Sequence, residues 1–289
     1  NKSVGRTAWK LGNEIATDRI SEFFIVMLQR DNSDGTKIQT NHIEIVFLFV
    51  FSCVYVFIIT FATNLNLVLM AKTLPKTKLQ EVTIKGYKSI AFNRPVTLKL
   101  NDVSILLGAN GAGKSNIISF FRMLSYMMSK SFGKYVEMSG TSNALLHYGT
   151  KKTPVMSGEI KFSDSKSIDT YSFSLSNATP DRLIITEERI VWHRKGKVKP
   201  YEVNLEPVFK ESALAESDNP VAKTIFQMLS YCKVYQFHDS SVEGPLRQVC
   251  PVETTNYLQS HGNNLPSFLL FLRDNYINSY NRIVDYIRE

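Results

Sequence analysis

The stretch Gly108-Ala-Asn-Gly-Ala-Gly-Lys-Ser115 decides the fold of this chain, because it has the spacing of a Walker A phosphate-binding loop. The apolar run Val103–Leu107 precedes it and a helical pattern follows it, which is the strand, loop and helix context that the motif requires. In such a loop the glycines let backbone N–H groups surround the β-phosphate. The lysine neutralises the β- and γ-phosphates, and the hydroxyl after it ligates Mg²⁺. The sequence therefore predicts a nucleotide site.

The predicted site comprises the loop and the first turn of the helix. Its expected nucleotide contacts are Gly108, Ala109, Asn110, Gly111, Ala112, Gly113, Lys114, Ser115 and Asn116. We expect Lys114 to stabilise the phosphate charge and Ser115 to bind the metal. Apolar residues then recur at helical spacing: Ile117, Phe120, Phe121, Leu124, Met127 and Met128. The phosphates would therefore lie at the positive end of an amphipathic helix.

Strand patterns lie on both sides of this site. Leu79–Ile90 begins as a strand and enters a glycine turn, and Val96–Leu100 alternates as a second strand. Between Met156 and Leu205, short alternating segments are broken by Asn177–Pro180 and by Lys195–Gly196, which indicates an antiparallel sheet. The predicted fold class is α/β, a P-loop core with an antiparallel β-rich subdomain.

The carboxyl-terminal part is predicted to be mostly helical. The patterns favour helices near Pro220–Tyr231 and Leu265–Arg288, with a strand at Lys233–Phe237 between them. Cys53, Cys232 and Cys250 have no C-x-x-C spacing, which argues against a disulfide framework or a zinc site.

The residues around the loop resemble a known family. Ile84-Lys-Gly-Tyr-Lys-Ser-Ile90, shortly before the loop, is similar to an element of RecF/SMC-type ATPase heads, which belong to the ABC-like group. The stretches FFRMLSYMM, LLHYGTKKTP, RLIITEERI and VYQFHDSS look like those of bacterial predicted AAA-family ATPases of this type, so the resemblance covers Leu79 to Glu289. It implies a P-loop NTPase that binds and hydrolyses ATP with Mg²⁺ as a homodimer of cytoplasmic heads, in DNA maintenance or phage defence.

The same resemblance implies roles for two residues of the glycine turn. An aromatic residue at the position of Tyr87 can stack on adenine, and a basic residue at the position of Lys88 can touch a phosphate. An ordinary surface turn is an equal alternative for both.

Two elements of such heads are not found after the loop. These are an L-S-x-G signature and a strand ending in Asp-Glu, the Walker B element, which binds Mg²⁺ and orients the attacking water. Leu183–Glu188 ends in two glutamates but lacks the aspartate, and we interpret it as an edge or meander strand. We expect both elements to follow Glu289, so that residues 70–289 are an amino-terminal lobe that binds ATP without efficient hydrolysis.

A glutamine that senses Mg²⁺ and the γ-phosphate is also expected in ABC-like heads. Gln236 or Gln248 is the candidate. The alternative for Gln236, together with His238 and Asp239, is a polar cluster at a strand end, since a His-Asp pair without a nucleophile makes no hydrolytic triad.

Residues 1–69 are predicted to be a separate extension. Ile45–Ala62 contains eighteen uncharged residues, and at about 1.5 Å per residue they form a helix of ~27 Å, which can span a bilayer. The lysines from Lys72 onward would keep the ATPase on the cytoplasmic side. The alternative is translated upstream sequence fused to a gene that starts at Met70. A genuine span would favour a membrane-tethered nucleotide-dependent transport or signalling module.

The net charge of the chain does not identify its binding partner. The chain is 44% hydrophobic and 21% charged, as in a folded protein. Its formal charge is +8, and residues 1–69 hold six basic and six acidic side chains, so the excess lies in 70–289. A basic lobe is compatible with nucleic acid, although charges spread over solvated faces are the favoured explanation.

Overall fold

Two units make up the chain. A computed structural model describes residues 24–27, 77–101, 103–109, 111–206, 210–235, 244, 249–250 and 257–288. The first unit comprises Asn1–Arg30 and Pro75–Lys233, and the second comprises Asp31–Leu74 and Val234–Glu289. The first unit contains both strands and helices, whereas the described part of the second unit contains helices.

An antiparallel six-stranded sheet forms the frame of the first unit. Its strands are β2 (Lys78–Lys85), β3 (Val96–Lys99), β5 (Val155–Ser163), β6 (Ser167–Ala178), β7 (Arg182–Arg194) and β8 (Tyr201–Leu205). Their spatial order is β3-β2-β5-β6-β7-β8. The antiparallel sheet predicted from Met156 to Leu205 is therefore confirmed, and the two strands before the loop belong to it.

The strand that feeds the loop belongs to a different sheet. β4 (Val103–Leu106) pairs in parallel with β1 (Phe24–Met27), and together they form a two-stranded sheet. β1 lies within the extension 1–69, and the sequence did not predict this pairing.

Helices surround the sheet of the first unit. They are α1 (Lys114–Met128), α2 (Phe132–Met138), α3 (Thr141–Leu145), a 3-10 turn (Ala213–Ala215) and α4 (Pro220–Tyr231). The helix predicted after the loop is confirmed, and its predicted apolar face is buried except for Ile117, which is half-buried. The helix predicted at Pro220–Tyr231 has the expected bounds, because the Asn219 side chain caps its first N–H groups and proline occupies its first turn.

Aromatic packing fixes α1 on the sheet. The Phe120 ring is stacked on Phe173 of β6, with ring centroids 6.1 Å apart, and meets Tyr87 edge-on at 5.9 Å. Alternate residues of β5 and β6 face this core, as a period of two requires. This packing holds α1, which begins directly after the predicted phosphate-binding loop, against the sheet.

A bulge interrupts the alternation of β7. The pairing with β6 shifts at Thr186, which is an extra residue on β7. Leu183 and Ile185 are buried, as predicted, but after the bulge Glu188 is the next buried residue. The predicted alternation therefore does not continue to Val191, which is only half-buried. β7 lies between β6 and β8, so the segment is a meander strand and not an edge strand.

Two helices occur in the second unit where one was predicted. α5 (Leu265–Asn275) and α6 (Ile277–Arg288) are separated at Tyr276, whose φ is −142° and ψ is 58°. The cluster Leu258, Phe268, Leu272 and Ile283 forms their core. An unbroken apolar pattern hid the break, because both helices contribute to the same core. The strand predicted at Lys233–Phe237 is wrong for residues 233–235, and residues 236–237 lie outside the described part.

The membrane prediction falls on residues that the structure does not describe. In the described parts of the chain, no helix has the length and apolar character needed to cross a bilayer. The candidate span Ile45–Ala62 and the candidate start Met70 lie outside those parts.

Asp169 is a buried acidic residue near the start of β6. It is 5% exposed, and among the described residues its Oδ1 has no hydrogen-bond partner. Burial, and secondarily the charge of Asp164, raises the pKa of Asp169 to about 6. Since this pKa lies above the ordinary value of 3.8, the fold loses stability as the pH rises from about 3.8 to about 6 and gains none of it back above that range.

We predict that Asp169→Asn stabilises the chain by about 1 kcal/mol at about pH 7.5, because solvent screening reduces the full cost of the charge. The gain should fall to about a third of this at about pH 4.5, where the folded carboxyl is protonated but the unfolded one is already mostly ionised. Thermal unfolding at both pH values measures it, with the exposed Asp218→Asn as a control. A gain that is the same at both pH values would contradict this assignment.

Candidate nucleotide-binding site

The predicted phosphate-binding loop connects β4 to α1. Gly111 and Gly113 have φ values of 82° and 89°, in the left-handed region that favours glycine. Gly113 directly precedes α1. Gly108, Ala109, Gly111 and Ala112 are all exposed. The main chain of the loop is therefore accessible to a ligand at the amino-terminal end of a fifteen-residue helix.

The Lys114 side chain folds back across the loop. Its Nζ donates hydrogen bonds to the carbonyl oxygens of Gly108, at 2.6 Å, and Ala109, at 2.9 Å. These contacts hold a positive charge over the same residues that the motif assigns to the phosphates. Both carbonyl bonds can be exchanged for bonds to phosphate oxygens, which are stronger acceptors because they are charged.

The first turn of α1 presents one hydroxyl and one amide. Ser115 is exposed, and a hydroxyl with nucleotide phosphates and water is a ligand set that suits Mg²⁺. Asn116 Nδ2 donates to Ser89 Oγ at 2.6 Å, so this side chain links the loop to the turn after β2. Asn110 lies outside the described residues.

The structure corrects the expectation for Tyr87. Its side chain is fully buried, and its hydroxyl lies 2.6 Å from Ser119 Oγ and 2.9 Å from the Tyr135 hydroxyl. Burial, reinforced by Tyr135, raises the pKa of Tyr87, which keeps the phenol neutral. Tyr87 therefore neither stacks on adenine nor forms a surface turn, because its ring is part of the core.

Lys88 is placed beside α1 in a positively charged environment. Its Nζ donates to Ser119 Oγ at 2.6 Å and lies 5.5 Å from the centre of the Tyr87 ring. Burial, and secondarily the charge of Arg122, lowers the pKa of Lys88. A half-buried cation next to a second cation favours a nearby anion.

Ser89 and Ser119 are the residues that the sequence analysis missed. Ser89 accepts the Asn116 hydrogen bond, and Ser119 connects Lys88 to Tyr87. Ser119 follows Ser115 by four positions on α1, so both lie on the same helix face. That spacing was the available signal for Ser119.

Glu188 has no free carboxylate oxygen. It is 1% exposed and accepts hydrogen bonds from the Tyr171 hydroxyl, from Ser212 Oγ at 2.5 Å and from the Ala213 N–H at 2.7 Å. Both oxygens are occupied by protein donors, so the carboxylate holds the 3-10 turn on the sheet. This geometry agrees with the interpretation of Leu183–Glu188 as a structural strand rather than a Walker B element.

Several expected site residues cannot be placed. Gln236, His238, Asp239 and Gln248 lie outside the described residues. Within the described part, no group of three or more His, Cys, Asp or Glu side chains could hold a metal ion.

Comparison with known proteins does not assign the chain to a family. No protein-family model matches it, and no curated protein matches it. Support for the site comes from the loop sequence and from the geometry around Lys114.

Proposed function

We propose that this chain binds ATP with Mg²⁺ at Gly108–Ser115 and is part of a P-loop ATPase. The observation that carries the proposal is the Lys114 ammonium, held over the exposed loop by the carbonyls of Gly108 and Ala109. The sequence resemblance to RecF/SMC-type heads extends the proposal to a homodimer that closes on ATP and acts in DNA maintenance or phage defence.

The phosphate chain is expected to bind the main chain of the loop. The first N–H groups of a helix have no carbonyl partner within the helix, and their partial positive charge attracts anions. Phosphate oxygens entering the loop would accept these N–H groups and draw Lys114 away from its carbonyl partners. Lys114 would then form charge-assisted hydrogen bonds to phosphate oxygens in place of its bonds to neutral carbonyl oxygens.

Lys88 supports the same assignment from the neighbouring turn. Ser89, the next residue, is bonded to Asn116, so the turn that carries Lys88 is tied to the first turn of α1. The cation is half-buried and close to a like charge. Binding of a polyphosphate would relieve this repulsion, and Lys88 is therefore a candidate contact for the outer phosphates.

Efficient hydrolysis needs a carboxylate that this loop does not contain. Glu188, at the end of Leu183–Glu188, does not supply it, because both of its oxygens accept protein hydrogen bonds. We therefore propose that the 289-residue chain binds ATP with little turnover.

The role of Ser115 gives a test that depends on the metal. We predict that Mg²⁺ tightens ATP binding to the wild-type chain and that Ser115→Ala reduces this gain about tenfold, because it removes the only expected protein ligand. Titrations of the 289-residue chain with ATP in Mg²⁺ and in EDTA measure the effect.

Ser129→Ala is a matched control, since this exposed serine follows the other end of α1. This variant should keep the full increase in ATP affinity that Mg²⁺ gives the wild-type chain. A Ser115→Ala variant that also keeps the full gain would contradict the metal assignment.

A further inference from the structure

A cluster of basic side chains lies at one end of the six-stranded sheet. The last residue of β7 and the turn that follows it carry Arg194, Lys195, Lys197 and Lys199, all exposed. The turn between β5 and β6 adds Lys166, whose carbonyl accepts the Lys195 N–H at 2.8 Å. We call these five residues the basic tip.

The positive charge of the basic tip is largely uncompensated. None of the ion pairs found among the described residues involves its five cations. Asp164 lies in the same turn as Lys166, but its carboxylate accepts N–H groups of Lys166 and Ser167. Lys195 Nζ bonds to the Asp164 carbonyl oxygen and not to the carboxylate. The tip therefore presents several cations against one acid.

Two exposed aromatic rings adjoin the basic tip. Trp192 of β7 and Tyr201 of β8 are directly opposite each other and therefore on the same face of the sheet. They are 37% and 48% exposed. Asn219 Nδ2 donates to the Tyr201 hydroxyl at 3.0 Å, which positions this ring. Two other acids lie nearby: Glu202 pairs with Arg189, and Asp169, which is directly opposite Trp192 in the β6–β7 register, is buried.

We propose that the basic tip, with Trp192 and Tyr201, binds single-stranded nucleic acid. Proteins that bind single strands combine cations, which follow the phosphates, with aromatic rings, on which bases stack. Here both features lie at one end of one sheet, with the rings on a single face. An anionic membrane or an acidic peptide would use the charge but not the paired rings, and a duplex hides its base faces.

The sequence allows a direct optical test. The chain contains two tryptophans, Trp9 and Trp192, so the full chain with Trp9→Phe reports from Trp192 alone. We expect an oligo(dT) of about 20 nucleotides to quench this fluorescence as a base stacks on the indole. Anisotropy of a labelled oligo(dT) then gives the affinity, and Trp192→Leu should weaken it at least about fivefold.

Charge reversal tests the basic tip against a matched control. The double variant Lys197→Glu with Lys199→Glu should weaken oligo(dT) binding about tenfold at about 100 mM salt. The slope of log affinity against log salt concentration should become shallower by about 1.4, because each lost phosphate contact contributes ~0.7. Lys151→Glu with Lys152→Glu makes the same charge change at another exposed basic pair. It should weaken binding about twofold at most. Circular dichroism checks that both double variants are folded.

Three outcomes would overturn the proposal. The first is the absence of Trp192 quenching. The second is an equal loss of oligo(dT) affinity in the two charge-reversed variants. The third is that anionic vesicles, or a duplex of the same length, displace labelled oligo(dT) at a lower concentration than unlabelled oligo(dT) does. Lys114→Ala should leave oligo(dT) binding unchanged, so this proposal can fail or hold independently of the ATP site.

Discussion

Replacing Lys114 by alanine is expected to weaken binding of MgATP about a hundredfold, which corresponds to ~3 kcal/mol. The lysine supplies the charged contact to the outer phosphates, and alanine leaves only the N–H groups of the loop. The variant should fold normally, because the hydrogen bonds of Lys114 within the described residues go to two carbonyls of the exposed loop. Isothermal titration of the full chain with MgATP measures the loss.

Lys130→Ala is the control for this experiment. Lys130 is exposed, lies beyond the other end of α1 and pairs with Glu216 at 2.8 Å. Its replacement removes the same charge and should leave the ATP affinity within about twofold. Undiminished ATP affinity in Lys114→Ala would contradict the phosphate-binding assignment.

The second large effect is expected at Glu188. Glu188→Ala should lower the free energy of unfolding by about 3 kcal/mol, because it leaves buried donors of Tyr171, Ser212 and Ala213 without an acceptor. The ATP affinity of the folded protein should not change. Denaturant unfolding and nucleotide titration on the same samples measure the two quantities separately.

Glu187→Ala provides the comparison for Glu188→Ala. Glu187 is exposed and accepts one hydrogen bond, from Ser174 Oγ at 3.1 Å, so its loss should cost about 0.5 kcal/mol. If Glu188→Ala instead left stability intact and abolished ATP turnover, Glu188 would be a catalytic residue and the structural assignment would be wrong.

Local signals made much of the fold predictable. A Walker A spacing, a helical apolar period and an Asn-Pro cap specify α1 and α4, and strict alternation specifies β5 and β6. Each of these signals lies within the element that it predicts. The bulge at Thr186 could not be found in this way, because it depends on how β7 pairs with its neighbour. The helix break at Tyr276 was hidden because the apolar pattern continues across it.

The residues of the candidate site differ in the same way: some were identified from the local sequence, and others depend on contacts with distant residues. Lys114 and Ser115 were identified as candidates from the sequence, because the roles proposed for them follow from their positions in one short motif. The burial of Tyr87 was not predictable, since it depends on Ser119 and Tyr135, which lie far along the chain. The segment Leu183–Glu188 was recognised from its sequence as unsuited to a Walker B element. The hydrogen-bond donors to the Glu188 carboxylate could not be predicted, because they come from distant strands and turns.

Hydrogen–deuterium exchange of the full chain with and without MgATP tests the central claim most directly, because it locates the ligand on the chain. We expect ATP to slow exchange in the peptides covering residues 108–118, where N–H groups of the loop and the first helical turn would bond to phosphates. Lys114→Ala should remove this protection. Saturating MgATP that leaves exchange in residues 108–118 unchanged, or that protects only another region, would contradict the account.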